Sequence, residues 1–197
     1  GDEVMRTTLT CIRDTCDLEV FDDLFGDDFA ADYEVDKEPL SRGNYGAVYR
    51  GTSKKTNQTV AVKRIPLFIE VGSDGKPLAD NMIKRTIDEA VLMSSLGRHE
   101  NVVSIHKACL IGTEIWLIMD FIDGDEVLQL VTKAYKQNKN NDGVRCLPEP
   151  VIAYILKHVL HGLSHLHHHL VIHRDIKPNN WMYTKDGTLK VIDLGVA

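Results

Sequence analysis

Apolar and polar positions alternate along residues 33–37, Tyr-Glu-Val-Asp-Lys, and this period of two predicts a strand. Residues 40–48 read Leu-Ser-Arg-Gly-Asn-Tyr-Gly-Ala-Val, and Gly43 and Gly46 by themselves mark a hairpin turn. A β-branched run follows at residues 59–65, interrupted by Lys63. Residues 71–77 read as an exposed loop. From about 78 to 96 the period changes: Ile83, Ile87, Ala90, Val91 and Ser94 recur at three- and four-residue spacing, as on one face of a helix. Residues 102–111 and 114–121 read as two strands around Gly112-Thr113. Asp125 is expected at the start of the next helix, and residues 133–146, rich in Lys, Asn and Gln, as an exposed connection. Pro148-Glu149-Pro150 opens a helix reaching about His169, with Val151, Ile155, Val159, Leu163 and Leu166 as its buried stripe. A short hairpin, Met182-Tyr183 against residues 189–192, turns at Lys185-Asp186-Gly187.

Charge alters this picture at one end. Residues 1–32 carry ten acids against two bases, so the formal charge of −6 is unevenly spread: that stretch is strongly acidic and the rest is nearly neutral. An acidic tail, partly disordered, is expected, although Phe21, Phe25 and Phe29 would also suit a docking segment. A near-neutral body argues against the basic face of a nucleic-acid binder. No apolar run is long enough to span a membrane. The first residue, Gly rather than Met, suggests an excerpt or a processed chain. Cys11, Cys16, Cys109 and Cys146 form neither a Cys-x-x-Cys pair nor a regular disulfide spacing, so free thiols in a reducing, intracellular setting (cytoplasmic, nuclear or both) are expected. Six histidines between 158 and 169 lack acidic or thiol partners at ligand spacing, and solvated or helix-end roles account for them better than a metal.

The chemistry concentrates in His173-Arg174-Asp175-Ile176-Lys177-Pro178-Asn179-Asn180, with Asp193-Leu194-Gly195 beginning thirteen residues beyond Asn180. Alone, His-Arg-Asp is a common surface turn. Here a base, a cation and an amide share one loop, and the following hairpin returns Asp193 to it. Phosphoryl transfer needs that set. The stretch resembles the catalytic loop HRDxKxxN and the DFG motif of eukaryotic protein kinases. Upstream segments follow in the family's order: Ser41, Gly43 and Gly46 resemble the glycine-rich loop with its first glycine replaced, and Val60-Ala61-Val62-Lys63 resembles VAIK.

The resemblance implies an α+β bilobal kinase fold, with an antiparallel small-lobe sheet, helix C and the first, mainly helical part of the large lobe. Its divisions would be an acidic extension at 1–32, small lobe and hinge at 33–122, and a partial large lobe with helices D and E at 123–197. It implies ATP and Mg2+ as cofactors and transfer of the γ-phosphate to a protein hydroxyl. Asp175 would then be the base and Lys177 the phosphate's counter-charge. Lys63 would hold α- and β-phosphates and pair with Glu89. Asn180 and Asp193 would hold the metal. Ser41, Gly43, Gly46, Val48, Ala61, Met119, Asp120, Ile122, Asp125 and Met182 would line the nucleotide site, with Tyr45 capping the loop tip and Met119 as gatekeeper. Lys177 is similar to the serine/threonine pattern, and Arg174 implies an activating kinase that phosphorylates an activation loop; a regulatory subunit is the other partner considered. Arg85-Thr86 and the string Lys177-Pro178-Asn179-Asn180 are similar to cyclin-dependent kinases, without their characteristic helix C. Leu194 stands where the family has Phe. The chain ends two residues after Gly195, before any activation segment. It is therefore expected to be an excerpt of a catalytic kinase, the alternative being a truncated, pseudokinase-like nucleotide-binding scaffold.

Overall fold

A computed structural model of the chain describes residues 32–43, 46–66, 96–111, 114–137 and 146–193. Expectations for the acidic extension, Tyr45, the 71–77 loop, the helix bearing Glu89, Gly112-Thr113, and Leu194-Gly195 lie outside the described residues. The chain divides into two compact units, and the segment Leu96–Ser104 belongs to the second although it precedes the last strands of the first.

The first unit is an antiparallel sheet of β1 (Tyr33–Gly43), β2 (Gly46–Ser53), β3 (Thr59–Pro66), β4 (Ile105–Ile111) and β5 (Glu114–Asp120), in the order β1-β2-β3-β5-β4. The β-branched run of β3 sits centrally, where Val60 and Val62 pack with Cys109 and Ile118 on one face. Val62, Ile115 and Ile118 are fully buried, each worth about 1.5–3 kcal/mol relative to exposure. Arg64 caps that face, its guanidinium 4.0 Å from the Tyr49 ring centroid and 3.8 Å from that of Trp116. Asp32 anchors the start of the sheet through Lys55 at 2.7 Å and Lys107 at 3.7 Å.

The second unit contains β6 (Gly124–Glu126), α1 (Val127–Gln137), α2 (Glu149–His168), a 3-10 turn (Pro178–Asn180), β7 (Trp181–Thr184) and β8 (Leu189–Val191). Ile155, Val159, Gly162 and Leu166 form the buried stripe of α2, and the two valine-class residues meet Val127, Trp181, Leu189 and Val191 in one core. Leu170 ends α2 in a left-handed conformation (φ 62°), while Val171 N–H donates to Leu166 O at 2.9 Å and Leu170 N–H to His167 O at 3.0 Å. This closes the helix as a Schellman turn.

Three expectations are corrected. Asp125 lies in β6, opposite Tyr183, rather than at a helix start; an added Cβ on Gly124 would collide with Tyr183 O, so glycine permits this pairing. Residues 133–137 are helical, because Val127, Leu130 and Ala134 extend an apolar stripe into the last turn. Residues 102–104 are not part of β4. Their backbone bonds turn to β8 instead: Val103 N–H donates to Val191 O at 3.0 Å, and Val191 N–H donates to Asn101 O at 2.9 Å.

Candidate active site

Within the first unit, strand register brings the residues expected around a nucleotide onto one face. Ser41 is opposite Val48, Val48 opposite Lys63, and Lys63 opposite Leu117. Two residues along, on the same side, Ala61 is opposite Met119. Ser41 is exposed, Val48, Lys63 and Met119 are half-buried, and Ala61 is buried.

The two described glycines of the expected loop differ in their local need for glycine. At Gly46 (φ 138°) an added Cβ would strike Arg64 O, so its backbone conformation and the close approach of β3 require glycine. At Gly43 the nearest atom to an added Cβ is Gly46 O at 3.9 Å, ordinary contact. Packing among the described residues does not account for Gly43.

In the second unit, the loop after α2 is tied to the hairpin. His173, 1% exposed, presents Nε2 to Ile192 O at 3.2 Å, and its Nδ1 accepts from Asp175 N–H at 3.3 Å. That pairing fits a neutral ring protonated on Nε2. Arg174 takes a left-handed conformation (φ 60°), turning the chain so that Asp175 follows it into the loop. Asp175 Oδ2 receives Lys177 Nζ at 2.6 Å and Asn180 Nδ2 at 2.9 Å; the same Nδ2 also donates to Asp175 O at 2.9 Å. These donors, Lys177 foremost, hold the Asp175 carboxyl below its usual range. Asn180, 5% exposed, accepts from Ile192 N–H through its backbone carbonyl at 2.9 Å. The chain therefore reaches Asp193 immediately beyond a bond to Asn180, and Asp193 is itself left-handed (φ 58°).

The remaining expected residues are distributed along the connection and β7. The Asp125 carboxylate accepts from Tyr183 OH at 3.4 Å and lies 3.7 Å from Lys133 Nζ. Met182 is opposite both Glu126 and Lys190. Ile122 is buried, and its carbonyl accepts from Gly124 N–H at 3.0 Å. Asp120, at the end of β5, pairs with His106 Nε2 at 2.9 Å. Glu89 lies outside the described residues.

Sequence reasoning gave no role to Asn101, His106 or the ring contacts of His173. Asn101 carried a weak signal as the only polar residue between His99-Glu100 and two valines; His106 carried none. The histidines of α2 also have specific partners. His158 Nδ1 lies 3.1 Å from Asn101 Nδ2, His165 Nε2 lies 3.0 Å from Leu96 O, and the rings of His165 and His99 stack at 4.5 Å. His168 and His169 each bond a carbonyl four residues back, at 2.9 Å. Among the described residues no three metal-capable side chains converge.

His99 gives this cluster a pH dependence. Its Nδ1 accepts from Asn101 N–H at 3.1 Å, and burial first, then the nearby His165 charge, push its pKa below 6.5. His161 and Lys190 act in the same direction, and Glu100 opposes them. The unfolded chain therefore binds this proton first as pH falls. The stability from neutral His99 is complete above about pH 6.5 and is lost as pH falls toward the lowered folded value. Thermal midpoints measured from pH 7.5 downward should decline across that window, and His99→Gln should flatten the decline; an unchanged slope would assign it to other groups.

Comparison with known proteins places this arrangement. The protein kinase domain family model matches residues 34–197. Myosin-IIIa of Mus musculus is 34% identical over 165 residues, covering 81% of this chain and 9% of that protein. Misshapen-like kinase 1 of Rattus norvegicus is 34% identical over 166 residues, covering 81% and 11%. Serine/threonine-protein kinase ste20 of Emericella nidulans is 30% identical over 170 residues, covering 86% and 17%. The chain thus spans less than a fifth of the length of each of these relatives. With the β1–β5 sheet and the Asp175 loop both lying in the matched region, the chain belongs to the protein kinase domain family.

Proposed function

We propose that this chain is the nucleotide-binding and catalytic-loop part of a serine/threonine kinase that transfers the γ-phosphate of Mg-ATP to a protein hydroxyl. The observation that carries the reading is the knot of Asp175, Lys177 and Asn180, with Ile192 bonded to Asn180 so that Asp193 follows directly. Residues 33–122 are read as small lobe and hinge, and 123–197 as the beginning of the large lobe.

The donor set suits a hard cation. Asn180 Nδ2 is committed twice to Asp175, which leaves its amide oxygen for a metal, and Asp193 adds a carboxylate. Magnesium held there would neutralise phosphate charge. Lys63, on the same sheet face as Val48 and Ala61, would bind phosphate oxygens while the two apolar residues flank the adenine. Gly43 fits this reading because phosphate approach would give a reason for glycine that packing among the described residues does not. The Asp120 carbonyl and the Ile122 amide would bond the base, with Met119 as gatekeeper, Asp125 would bond the ribose, and Met182 completes the proposed nucleotide set. Asp175 would orient the acceptor hydroxyl and take its proton, with Lys177 beside the transferred group. Arg174 would answer a phosphorylated activation loop, which would make an activating kinase a partner.

Incorporation of labelled γ-phosphate from Mg-ATP into a generic Ser/Thr substrate tests this, using the full-length protein and the 197-residue chain. Activity of the full-length protein that falls at least about a hundredfold in Asp193→Asn supports the reading. Folded, nucleotide-binding protein that transfers nothing in either length would replace it with a scaffold role.

A further inference from the structure

The β4–β5 pairing contains an irregularity at a specific place. Ile105 is opposite Met119 and Lys107 is opposite Ile118, so one residue of β4, His106, has no counterpart on β5. An extra residue of this kind breaks the alternation of side chains and re-aims the one it carries. Here the re-aimed ring reaches along β5 to its last residue: His106 Nε2 lies 2.9 Å from Asp120 Oδ1, with both side chains less than a third exposed.

We infer that His106 is a positioning residue that clamps Asp120, fixing the end of β5 where the chain offers its backbone to the adenine. The inference rests on the proposed nucleotide reading, in which Asp120 supplies a main-chain hydrogen bond to the base. A backbone acceptor recognises a flat ring only if its peptide plane is already set, because ordering it during binding subtracts from affinity. β3 supports this end of β5 from one side, through Val60 opposite Asp120. On the other side β4 begins at Ile105, opposite Met119, and pairs no further along β5; the side chain of His106 reaches the one residue beyond. A direct ring-to-carboxylate hydrogen bond holds better than an ion pair between two long flexible chains, since less rotamer freedom is lost.

The clamp acts on binding and not on the transferred phosphate, so kinetic parameters separate it from a general structural role. In the full-length protein, His106→Ala should raise KM for ATP about five- to tenfold and leave kcat within about twofold, the pattern of lost uniform binding. His106→Gln retains a donor that reaches Asp120 and should recover at least half of the loss. The affinity of a fluorescent ATP analogue, read by anisotropy without turnover, should weaken in parallel. If the wild-type protein binds the analogue but transfers no phosphate, the catalytic reading fails while the analogue series still decides the clamp. Unchanged KM and analogue affinity in His106→Ala would overturn it. So would equal losses in kcat and thermal midpoint that Gln does not restore.

Discussion

Asp175→Asn is expected to lower kcat by about a thousandfold while leaving KM for ATP within a few-fold, consistent with the usual contribution of a positioned acid–base group. The local geometry explains why so small a change costs so much. Oδ2 of Asp175 is held by two donors, Lys177 Nζ and Asn180 Nδ2. An amide can keep an oxygen toward them only by turning its NH2 to the side where, in the proposed reaction, the acceptor hydroxyl would lose its proton. In the opposite orientation three donors meet. Either way the carboxylate's capacity to accept is lost while the loop keeps its shape. The depressed pKa of Asp175 also fixes its charge state: the group is ionised at every pH above its lowered value, so an acid limb of the rate profile near pH 6 would belong to another residue. Steady-state kinetics at saturating and limiting ATP make the measurement. More than a tenth of wild-type kcat in a folded Asp175→Asn protein would remove Asp175 from the role of base.

Much of the sheet and of the candidate site was legible because both depend on short-range pattern. The alternation at 33–37, the two glycines and the β-branched 59–65 run each correspond to strands of the sheet, and Lys63 in that run shares a face with Val48, as its register dictates. The hairpin turned at 185–187 likewise needed only its turn residues and flanking apolar positions. What could not be read depends on contacts between distant segments. Residues 102–104 are as apolar as a strand, yet their bonding partner is Val191, almost ninety positions away in sequence. Asp125 precedes a helix and so read as its start; only the close approach of Tyr183 to Gly124 reveals β6. The bulge at His106 is a register event, invisible to any period count. The histidines of α2 were expected from composition to be solvated or to sit at a helix end. His158 and His165 instead contact the 96–104 segment, which folds with them.

These long-range contacts converge on Asn101, so a change in its one side chain should be felt at several segments together. It is 2% exposed and bonds in four directions. Its Nδ2 donates to Leu189 O at 2.8 Å and contacts His158 Nδ1 at 3.1 Å; its N–H donates to His99 Nδ1 at 3.1 Å, and its carbonyl receives Val191 N–H at 2.9 Å. Gly162 allows α2 to approach, since an added Cβ there would lie 2.7 Å from Asn101 O. Asn101→Ala should destabilise the protein by about 1–3 kcal/mol, the usual cost of stranding a buried partner, here the Leu189 carbonyl. Asn101→Asp conserves size and should cost more than Ala, because it sets a carboxylate oxygen against that carbonyl and buries a charge. The strain passes to the site through β8: Leu189 and Val191 lie in the strand whose continuation carries Ile192 to Asn180 and on to Asp193. Urea midpoints give the stability order, and amide exchange at 189–192 gives the route. Wild type above Ala above Asp, with exchange accelerated in β8, is the expected result. An Asp variant as stable as wild type would mean that the amide's donors contribute nothing there and that backbone bonds alone hold the hairpin.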